Sequence, residues 1–576
     1  VTVLDEQEIE MSPARDLGEL LAEENIGHIH KYPGSQTSVG IRGLRSSATG
    51  NDLAGRVLLL FNGRRAGTGN FTKIMTENIE RIEIIRGPAS VQYGSAALGG
   101  VINVITKQGR GEPDFFVKGA LGSFGYDEAA AGFSGKAKNF DFSGSVSRST
   151  REDYDTADDE DYENTGYTEK ENASLNLGYE FLPGNRIGLI YSGYNADKVG
   201  SPNYLSQNDP NNYVNNSNES IDFIYDGETR KGLLAWQARY FQGEDVYDYY
   251  SIPNPGSIYS SSVFETETDY EGAQAQVSWR PGQYTMTTGL DWVNYEIEQS
   301  NAPNEAEYDN PSWFIMGKAR YFEERLILSG GLRYDDYEVE VKEGQGGTED
   351  DENVSPSVGV SYFLLDNLKL RASYGQGFRM PTAAELAGDY STGGGMYEAT
   401  YKGNPDLDPE KNDSYEIGLD WYQQVFNASL TYFYTDWEDK IEERPGDEAG
   451  SQTWENIGDA TISGFEGSFS FNVGDLMEWN WQIDPYINFT YLTEYEDDET
   501  HDDLKYASDL LFSYGLSVSD SDGFSARINF TYTGEQDIDD HENGYFDPDT
   551  FEYVTPEVEK GGFTVANLSI RKRLMD

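Results

Sequence analysis

The chain has 576 residues, a formal charge of −60, no cysteine and an aromatic content of 14%. This charge excludes nucleic acid as a partner, because phosphate backbones are bound by basic surfaces. No stretch reaches the about 18 consecutive apolar residues that a membrane-spanning helix needs, which excludes a helical membrane protein.

Residues 1–111 are predicted to form a small α+β domain. The segment SPARDLGELLAEEN predicts a helix with Ser12 at its N-cap and Pro13 at its first position, where both residues are favourable. RVLLLFNGRR predicts a buried strand that ends in an Asn62-Gly63 turn. RIEIIRG and GGVINVIT predict two further strands with a tight, glycine-rich connection.

Residues 112–576 keep one pattern from beginning to end. Segments of about 10 residues alternate apolar with polar side chains, as in LILSGGLRYD, NASLTYFYT and FSARINFTYT. With 41 Tyr and 28 Phe, this pattern is typical of a transmembrane β-barrel, whose aromatic side chains form girdles at both membrane interfaces. A soluble multidomain β protein alternates similarly but would need linkers between its domains, and no Pro/Ser-rich linker is present.

The connections between these segments have two lengths. FLPGNR and SDSDG are tight, whereas other connections are long, acidic and rich in Asn and Tyr. The long ones include REDYDTADDEDYENTGYTEK, PNYLSQNDPNNYVNNSNES, VKEGQGGTEDDEN and EQDIDDHENGYFDPDTFEYVTPEVEKGG. Short turns on one side and long loops on the other indicate the two ends of an outer-membrane barrel.

At this point a family resemblance becomes visible. The stretch IERIEIIRGPASVQYGSAALGGVINVITK closely resembles the plug signature of TonB-dependent outer-membrane receptors. VTVLDEQEIE, DLGELL, the triplet Ile41-Arg42-Gly43 and VLLLFNG occur in the family's order. Three later phrases resemble the family's barrel: GQGFRMPTAAEL, GNPDLDPEKNDSYEIGLDW and NIGDATISGFEGSF. The resemblance therefore covers nearly the whole chain.

The resemblance implies an all-β transmembrane barrel of about 22 antiparallel strands, formed by residues 112–576, with residues 1–111 as an α+β plug domain inside its lumen. It implies a monomer in the bacterial outer membrane, among lipid and lipopolysaccharide. The implied function is active import of a scarce metal chelate with energy delivered by TonB, so we expect no enzymatic activity and no required cofactor.

The chain departs from the family pattern at both ends. The TonB box, a short segment upstream of the plug, does not occur in it, and the strand count reaches about 20 at FTVANLSIRKRL, without the family's closing phrases. An open sheet edge is not viable in lipid. We therefore expect the numbered chain to be truncated at both termini, the alternative being a shorter barrel.

Two plug arginines, Arg42 and Arg86, lie in the motifs that resemble the family. A buried guanidinium needs a carboxylate partner, because an unpaired buried charge is very costly. The resemblance implies that the partners are Glu416 and Glu466 of the barrel wall, which would form a switchable plug–barrel charge cluster. The alternative is that these glutamates only line a wet lumen.

The two plug loops are the predicted ligand-binding surface. Polar and cationic side chains that point into the lumen would suit an anionic chelate, although solvated turn residues would have the same composition. The predicted ligand-binding residues are Arg45, Ser46 and Ser47 in the first loop and Arg64, Arg65, Thr68 and Asn70 in the second.

The first long acidic connection is a candidate calcium site. Carboxylates clustered on an exposed loop supply the oxygen ligands that calcium takes, and cobalamin transporters of this family use loop aspartates of this region in that way. The candidate ligands are Asp153, Asp155, Asp158, Asp159 and Asp161. No EF-hand spacing is present, so simple solvation of the loop is the alternative.

The chain contains 4 histidines. His28 and His30 alternate like a zinc-binding pair, but their place in the plug favours a structural role. No histidine lies between FRMP and NPDL, where haem receptors of the family carry one, which argues against haem. No Ser/His/Asp or Cys/His grouping indicates an enzyme.

The leading hypothesis is therefore import of a ferric siderophore, which follows from the family resemblance and from the arginines of the plug loops. Cobalamin uptake with calcium-ordered loops is the alternative, motivated by the compact size and the acidic first loop. A passive porin or an adhesin barrel is a third hypothesis, but neither needs a separate N-terminal domain that carries IRGPASVQYG.

Overall fold

The computed structural model describes residues 1–576 except 35, 157–159, 255–259, 344–346, 393–398, 447–450, 499–500, 548–551 and 575–576. The described residues form an N-terminal plug and a barrel whose wall makes ion pairs with it. None of the described helices is long and apolar enough to cross a membrane.

The plug contains two sheets and short helices. The larger sheet has five strands in the spatial order Thr2–Asp5, Ile79–Arg86, Gly100–Thr106, Val57–Phe61 and Arg64–Arg65. The smaller sheet has three strands: His28–Tyr32, Gln36–Ile41 and Leu44–Arg45. The helices are Glu6–Met11, Leu17–Glu23 and Ser90–Tyr93, and Phe71–Lys73 forms a 3-10 turn.

The helix predicted to begin after Ser12 begins later. Its bounds are Leu17–Glu23, and Asp16 is the N-cap, with a carboxylate that accepts the backbone N–H of Glu19 at 2.9 Å. Ser12 is instead the C-cap of the preceding helix, Glu6–Met11. Aspartate caps a helix as well as serine does, and Asp16 directly precedes the apolar face, so the prediction of Ser12 as the N-cap was wrong.

The core of the plug continues into the barrel wall. Every residue of the strand Val57–Phe61 is buried, which explains why its sequence is a continuous apolar run rather than an alternating one. The same apolar cluster includes Ile190 and Ile224, which belong to barrel strands. Plug and barrel therefore share one hydrophobic core.

The barrel sheet contains 20 described strands, each antiparallel to the strand before it in the chain. Their bounds are Asp114–Leu121, Asp127–Ala137, Phe140–Arg151, Tyr167–Leu182, Asn185–Gly200, Tyr213–Glu228, Leu234–Ser251, Ser262–Trp279, Tyr284–Gln299, Glu305–Tyr321, Leu326–Glu343, Thr348–Leu365, Leu368–Arg379, Glu410–Tyr422, Phe426–Glu438, Ala460–Phe471, Trp481–Asp497, Leu510–Asp520, Phe524–Thr533 and Phe563–Lys572. The number equals the count made from the sequence, and the family's about 22 strands stay a prediction.

Side chains of the barrel strands alternate between the plug and the outside. In Ser262–Trp279, for example, Thr268 and Tyr270 are buried whereas Glu267 and Asp269 are exposed. Apolar side chains that face outward are exposed in the same way, such as Leu290 at 64%. The alternation predicted from the sequence is therefore present.

Long and short connections lie on opposite sides of the barrel. The short-turn side has connections such as 138–139 and 183–184, and the long-loop side has connections such as 380–409 and 534–562. The long-loop side also carries small elements: the helix Ala383–Ala387, the 3-10 turns Leu205–Gln207 and His541–Asn543, and the strands Tyr154–Asp155, Asp161–Tyr162, Asp389–Thr392, Ala399–Lys402, Ile441–Pro445, Ser451–Asn456, Gln536–Asp539, Tyr545–Asp547, Glu552–Val554 and Glu557–Lys560. The helix Val473–Met477 lies on the short-turn side.

One predicted long loop was wrong. VKEGQGGTEDDEN is mostly strand, because Leu326–Glu343 and Thr348–Leu365 leave only residues 344–347 between them. Outward-facing glutamates and aspartates gave these strand ends the composition of a loop. Burial alternates up to Val339 and again from Asn353, whereas residues 342–343 and 348–352 are all exposed, which gives these strand ends the burial of a loop as well.

Candidate functional site

A buried arginine joins the plug to the barrel wall at mid-height. Arg42 donates to Glu466 through Nε and Nη2, both at 2.9 Å, and to Glu416 through Nη1 at 2.7 Å. Its guanidinium also lies 4.0 Å from the centre of the Phe433 ring. Desolvation lowers the pKa of Arg42, but Glu466 and Glu416 outweigh it and raise that pKa above its ordinary value.

Arg86 is a weaker member of this plug–barrel charge cluster. Its Nε lies 3.8 Å from Glu466, and its Nη1 donates to the hydroxyl of Thr2 at 2.9 Å. Thr2 belongs to the edge strand that pairs with Ile79–Arg86. Arg86 therefore contacts both the barrel wall and the first strand of the plug.

A second charge cluster lies nearer the long-loop side. Arg56 of the plug and Arg379 of the wall both bind Glu410, and Arg379 also binds Glu385 at 2.9 Å. Arg379 and Glu410 are completely buried. No sequence pattern predicted a role for these residues. Arg379 and Glu385 lie in GFRMPTAAEL and Glu410 lies in NPDLDPEK, two segments that resemble the family.

The second plug loop, residues 62–70, lies against the barrel wall. Arg64 is buried against the wall, donating to Asp222 at 2.8 Å and to Ser220 at 2.7 Å. Arg65 lies 3.3 Å from Asp52 of the plug, and its Nε is 3.2 Å from the hydroxyl oxygen of Tyr295. Both arginines are therefore paired with carboxylates of the chain itself, and their ligand-binding role stays a prediction.

The polar residues of the same loop are also structural. Thr68 is fully buried, and the side-chain oxygen of Asn70 accepts the backbone N–H groups of Thr37 at 3.0 Å and Thr72 at 3.1 Å. Thr68 and Asn70 therefore hold the loop in shape. Their assignment to ligand binding stays a prediction, like that of the arginines.

The first plug loop, residues 43–55, is divided between structure and exposure. Arg45 lies 4.8 Å over the ring of Tyr506, and burial followed by the charge of Arg56 lowers its pKa. The hydroxyl oxygen of Ser46 is buried and accepts the N–H of Val39 at 3.0 Å, and the ligand-binding role of Ser46 stays a prediction. Ser47 is part-exposed and donates to the carbonyl of Thr49 at 2.9 Å.

A cavity of about 270 Å³ lies between the first plug loop and the long-loop end of the wall. Ser47 is the predicted ligand-binding residue that lines it. Its other lining residues are Thr49, Gly50, Asn51, Leu53 and Ala54 of the loop, Ser95, the wall residues Tyr247, Phe264, Thr266, Ile297, Gln299, Ala306, Glu307, Tyr308 and Val339, and Met380–Ala384. Aromatic and aliphatic groups with a few hydroxyls form this lining, which is the usual chemistry of a ligand site.

The acidic first loop does not gather its aspartates around one point within the described residues. Both carboxylate oxygens of Asp153 accept backbone N–H groups, from Asn164, Thr165 and Gly166 at 2.7–2.8 Å. Asp155 lies opposite Asp161 in a small hairpin, while Asp158 and Asp159 lie outside the described residues. The calcium site stays a prediction.

His28 and His30 lie side by side on the strand His28–Tyr32, with ring centres 4.2 Å apart. Nε2 of His30 is 3.2 Å from the carbonyl oxygen of Tyr506 in a long-side loop. Burial, then Lys560, lowers the pKa of His28 to about 4. Burial, then His28 itself, lowers the pKa of His30 to about 3. Both rings are therefore neutral at pH 7 and connect the plug to the loop.

Two family models match the chain: "TonB-dependent Receptor Plug Domain" at residues 1–101 and "TonB dependent receptor-like, beta-barrel" at residues 114–575. The ferric enterobactin receptor of Pseudomonas aeruginosa is 24% identical over 87% of this chain and 76% of its own. The vitamin B12 transporter BtuB of Vibrio vulnificus is 25% identical over 93% of this chain and 81% of its own.

Solved structures have the same fold. The siderophore receptor PirA of Acinetobacter baumannii aligns with a TM-score of 0.74 and 19% identity, over 100% of this chain and 92% of its own. The copper transporter OprC aligns with a TM-score of 0.78 and 19% identity, over 98% of this chain and 88% of its own.

Proposed function

The chain belongs to the TonB-dependent receptor family, and from this premise we propose that it imports a ferric siderophore across the bacterial outer membrane. The long-loop side would face the medium and the short-turn side the periplasm. TonB would supply the energy by acting on the plug. Curated relatives named as ferric enterobactin receptors support an iron chelate as cargo.

The observation that carries the proposal is the cavity between the first plug loop and the wall. It lies on the long-loop side of a lumen that the plug occupies, so a ligand bound there contacts plug and barrel at the same time. Binding could therefore change the position of the plug, which a passive pore does not require. The buried ion pairs of Arg42 and Arg64 likewise favour a receptor over a porin or an adhesin.

Cobalamin remains the second candidate function, because BtuB transporters are among the relatives and one match covers 93% of this chain. The two candidates differ in their cargo rather than in their mechanism. A binding measurement that includes both cargo classes therefore separates them.

The test uses the purified receptor in detergent micelles and measures quenching of its tryptophan fluorescence by ferric chelates and by cyanocobalamin. We expect saturable binding of a ferric chelate, weakened at least tenfold by Phe264→Ala in the cavity. Phe322→Ala, which removes an exposed aromatic ring on the short-turn side, is the matched control and should not change affinity. Binding of cyanocobalamin alone would contradict the proposal.

Dependence on TonB is tested in cells. Uptake of the radiolabelled ferric chelate should stop when the proton gradient is dissipated, while binding to the cell surface continues. Uptake that persists without the gradient would indicate passive diffusion instead.

A further inference from the structure

Among the residues that the structure describes, those that line the cavity include no lysine, arginine or histidine, and their one carboxylate, Glu307, binds Lys342 at 2.5 Å. We propose that the cargo is an electrically neutral ferric chelate of the trihydroxamate class rather than a tricatecholate. Three hydroxamates neutralise Fe³⁺, whereas three catecholates leave a net charge of three negative units on the complex. This inference rests on the proposed function and names the substrate class of the same site.

No plug arginine is among the described residues that line the cavity, and Arg45 of the first loop lies over the ring of Tyr506 instead. Arg64 and Arg65 are buried and bind Asp222 and Asp52, and Arg56 binds Glu410. Each of these three arginines already forms an ion pair with a carboxylate of the chain itself. A trianion in the cavity would have to break one of these pairs, which would leave a buried carboxylate without compensation.

The long loops offer little more. Between the barrel strands on that side, the sequence contains Lys402, Lys440, Arg444, Lys505 and Lys560 as its lysines and arginines, together with His501 and His541. Loop carboxylates bind the first four: Lys402 binds Asp389 at 2.5 Å, Lys440 and Arg444 contact Glu442 at 2.6 and 3.6 Å, and Lys505 binds Asp539 at 2.7 Å. Lys560 lies in the hairpin strand Glu557–Lys560, 5.6 Å over the ring of Phe563.

The acidic loops also disfavour the approach of an anion. The chain carries 102 Asp and Glu against 42 Lys and Arg, and the loop segments 152–166 and 534–562 are rich in carboxylates. The electrostatic field of a surface that carries charges of one sign changes the association rates of charged ligands by roughly 10- to 1,000-fold, and salt weakens this effect. Such a field slows a trianion and leaves a neutral chelate unaffected.

The lining itself suits an uncharged ligand. Tyr247, Phe264 and Tyr308 provide aromatic surface, and Thr266 provides a hydroxyl group that can donate to a carbonyl oxygen of a hydroxamate complex. At about 270 Å³, the cavity is at the small end of ligand sites. It therefore accommodates one face of the chelate while the loops cover the remainder.

The experiment compares three probes on the full receptor: ferrichrome, a neutral trihydroxamate; ferric enterobactin, a tricatecholate trianion; and cyanocobalamin. We expect ferrichrome to bind at least about tenfold more tightly than ferric enterobactin, with no change between 50 and 500 mM NaCl. Tighter binding of ferric enterobactin would overturn this inference and leave the proposed function standing. Binding of neither ferric probe, with or without cobalamin binding, would overturn both.

A second experiment introduces a positive charge into the cavity and measures the binding of ferric enterobactin. Thr49 is exposed and lines the cavity, so Thr49→Lys places a cation there without disturbing the core. We expect this variant to bind ferric enterobactin at least about tenfold more tightly than the parent does at low salt, while Thr49→Gln, the uncharged control, does not. An unchanged affinity in Thr49→Lys would show that the lining charge does not select the cargo, which contradicts the inference.

Discussion

The two plug loops have similar sequences and opposite surroundings. Both combine arginine with Thr, Asn and Gly, and both lie between strands of the plug. The second loop, residues 62–70, is held against the wall by ion pairs and is buried from Arg64 to Asn70. The first loop, residues 43–55, has Arg42 and Arg56 fixed at its two ends, while Thr49 and Ala54 are exposed.

The difference shows that a cation in such a loop is not by itself a sign of ligand binding. What decides its role is whether the facing wall presents a carboxylate. Asp222 and Asp245 face the second loop and the adjoining Lys73, whereas the wall beside the tip of the first loop presents aromatic and hydroxyl groups and one carboxylate, Glu307, which Lys342 already binds. The second loop therefore anchors the plug, and the first is free to contact cargo.

The largest expected effect comes from removing the carboxylates at the base of the first loop. Glu416→Gln combined with Glu466→Gln leaves the guanidinium of Arg42 buried without a charge partner, which costs about 3–5 kcal/mol or more. We expect the plug to loosen, seen as a larger single-channel conductance in planar bilayers. Glu265→Gln, an exposed outward-facing position, is the control, and unchanged conductance in the double variant would argue against an anchoring role.

The same substitution in each loop sharpens the comparison. Arg64→Met leaves buried Asp222 with only the more distant Arg239, at 4.0 Å, as a cationic partner and should lower the free energy of unfolding by about 3–5 kcal/mol. Arg45→Met removes a cation–aromatic contact with Tyr506 and should lower it by about 1 kcal/mol. Urea unfolding in detergent micelles measures both values.

A triple variant separates charge from packing in the second loop. Arg64→Met with Asp222→Leu removes the ion pair, but Asp222 also pairs with buried Arg239 at 4.0 Å, so Arg239→Met is added to these two substitutions. Removal of all three charges should recover much of the stability that Arg64→Met loses. If Arg64→Met and Arg45→Met proved equally mild, the ion pair with Asp222 would not be what holds the second loop.

A matched pair of glycines tests the space around the two loops. Gly67 has a φ of +75°, and a Cβ there would lie 2.2 Å from the ring of Tyr270. Gly50 has a φ of +67°, but the nearest atom to its Cβ would be a methyl group of Thr266 at 3.8 Å. Gly67→Ala therefore combines backbone strain with overpacking and should cost about 2–6 kcal/mol, against about 1 kcal/mol for Gly50→Ala.

Thermal unfolding of the two glycine variants in micelles measures this difference. Equal melting temperatures would mean that the second loop can move away from Tyr270, and would contradict its role as a rigid anchor.

Local sequence patterns predicted the architecture because each barrel strand shows its own alternation of apolar and polar residues. Alternation along strands such as Ser262–Trp279 follows from a wall with one face toward the plug and one toward lipid, and the strand count of about 20 follows from it. The composition of residues 341–353 misled the prediction of a loop, since outward-facing carboxylates at strand ends resemble loop residues. The alternation of buried and exposed residues on either side of this segment, up to Val339 and from Asn353 onward, was the better signal for the two strands.

The candidate site was less predictable because its contacts join distant parts of the chain. Glu416 and Glu466 were linked to Arg42 through motifs that resemble a family. No motif linked Arg64 to Asp222, which lies 158 positions away, and charge alone favoured a ligand role. The lining of the cavity comes from the plug, several strands and the segment Met380–Ala384, a combination that depends on the closed fold.

The smallest expected effect concerns pH and the support of the first loop. The pKa of His28 falls from 6.5 to about 4 on folding, so the unfolded chain binds a proton more readily. The stability that neutral His28 contributes is complete above pH 6.5 and is lost as the pH falls toward about 4. At pH 5 the loss amounts to about 2 kcal/mol, and the lowered pKa of His30 adds in the same direction.

Hydrogen exchange followed by mass spectrometry resolves this effect by region. After correction for intrinsic rates, peptides from residues 28–45 should open more readily at pH 5 than at pH 7.5, because protonated His28 would face the charges of Lys560 and Arg45. Peptides from residues 57–70 should change less, since the arginines of the second loop do not titrate in this range. In His28→Gln with His30→Gln the pH dependence of residues 28–45 should disappear, and its persistence would assign the effect to groups other than the histidine pair.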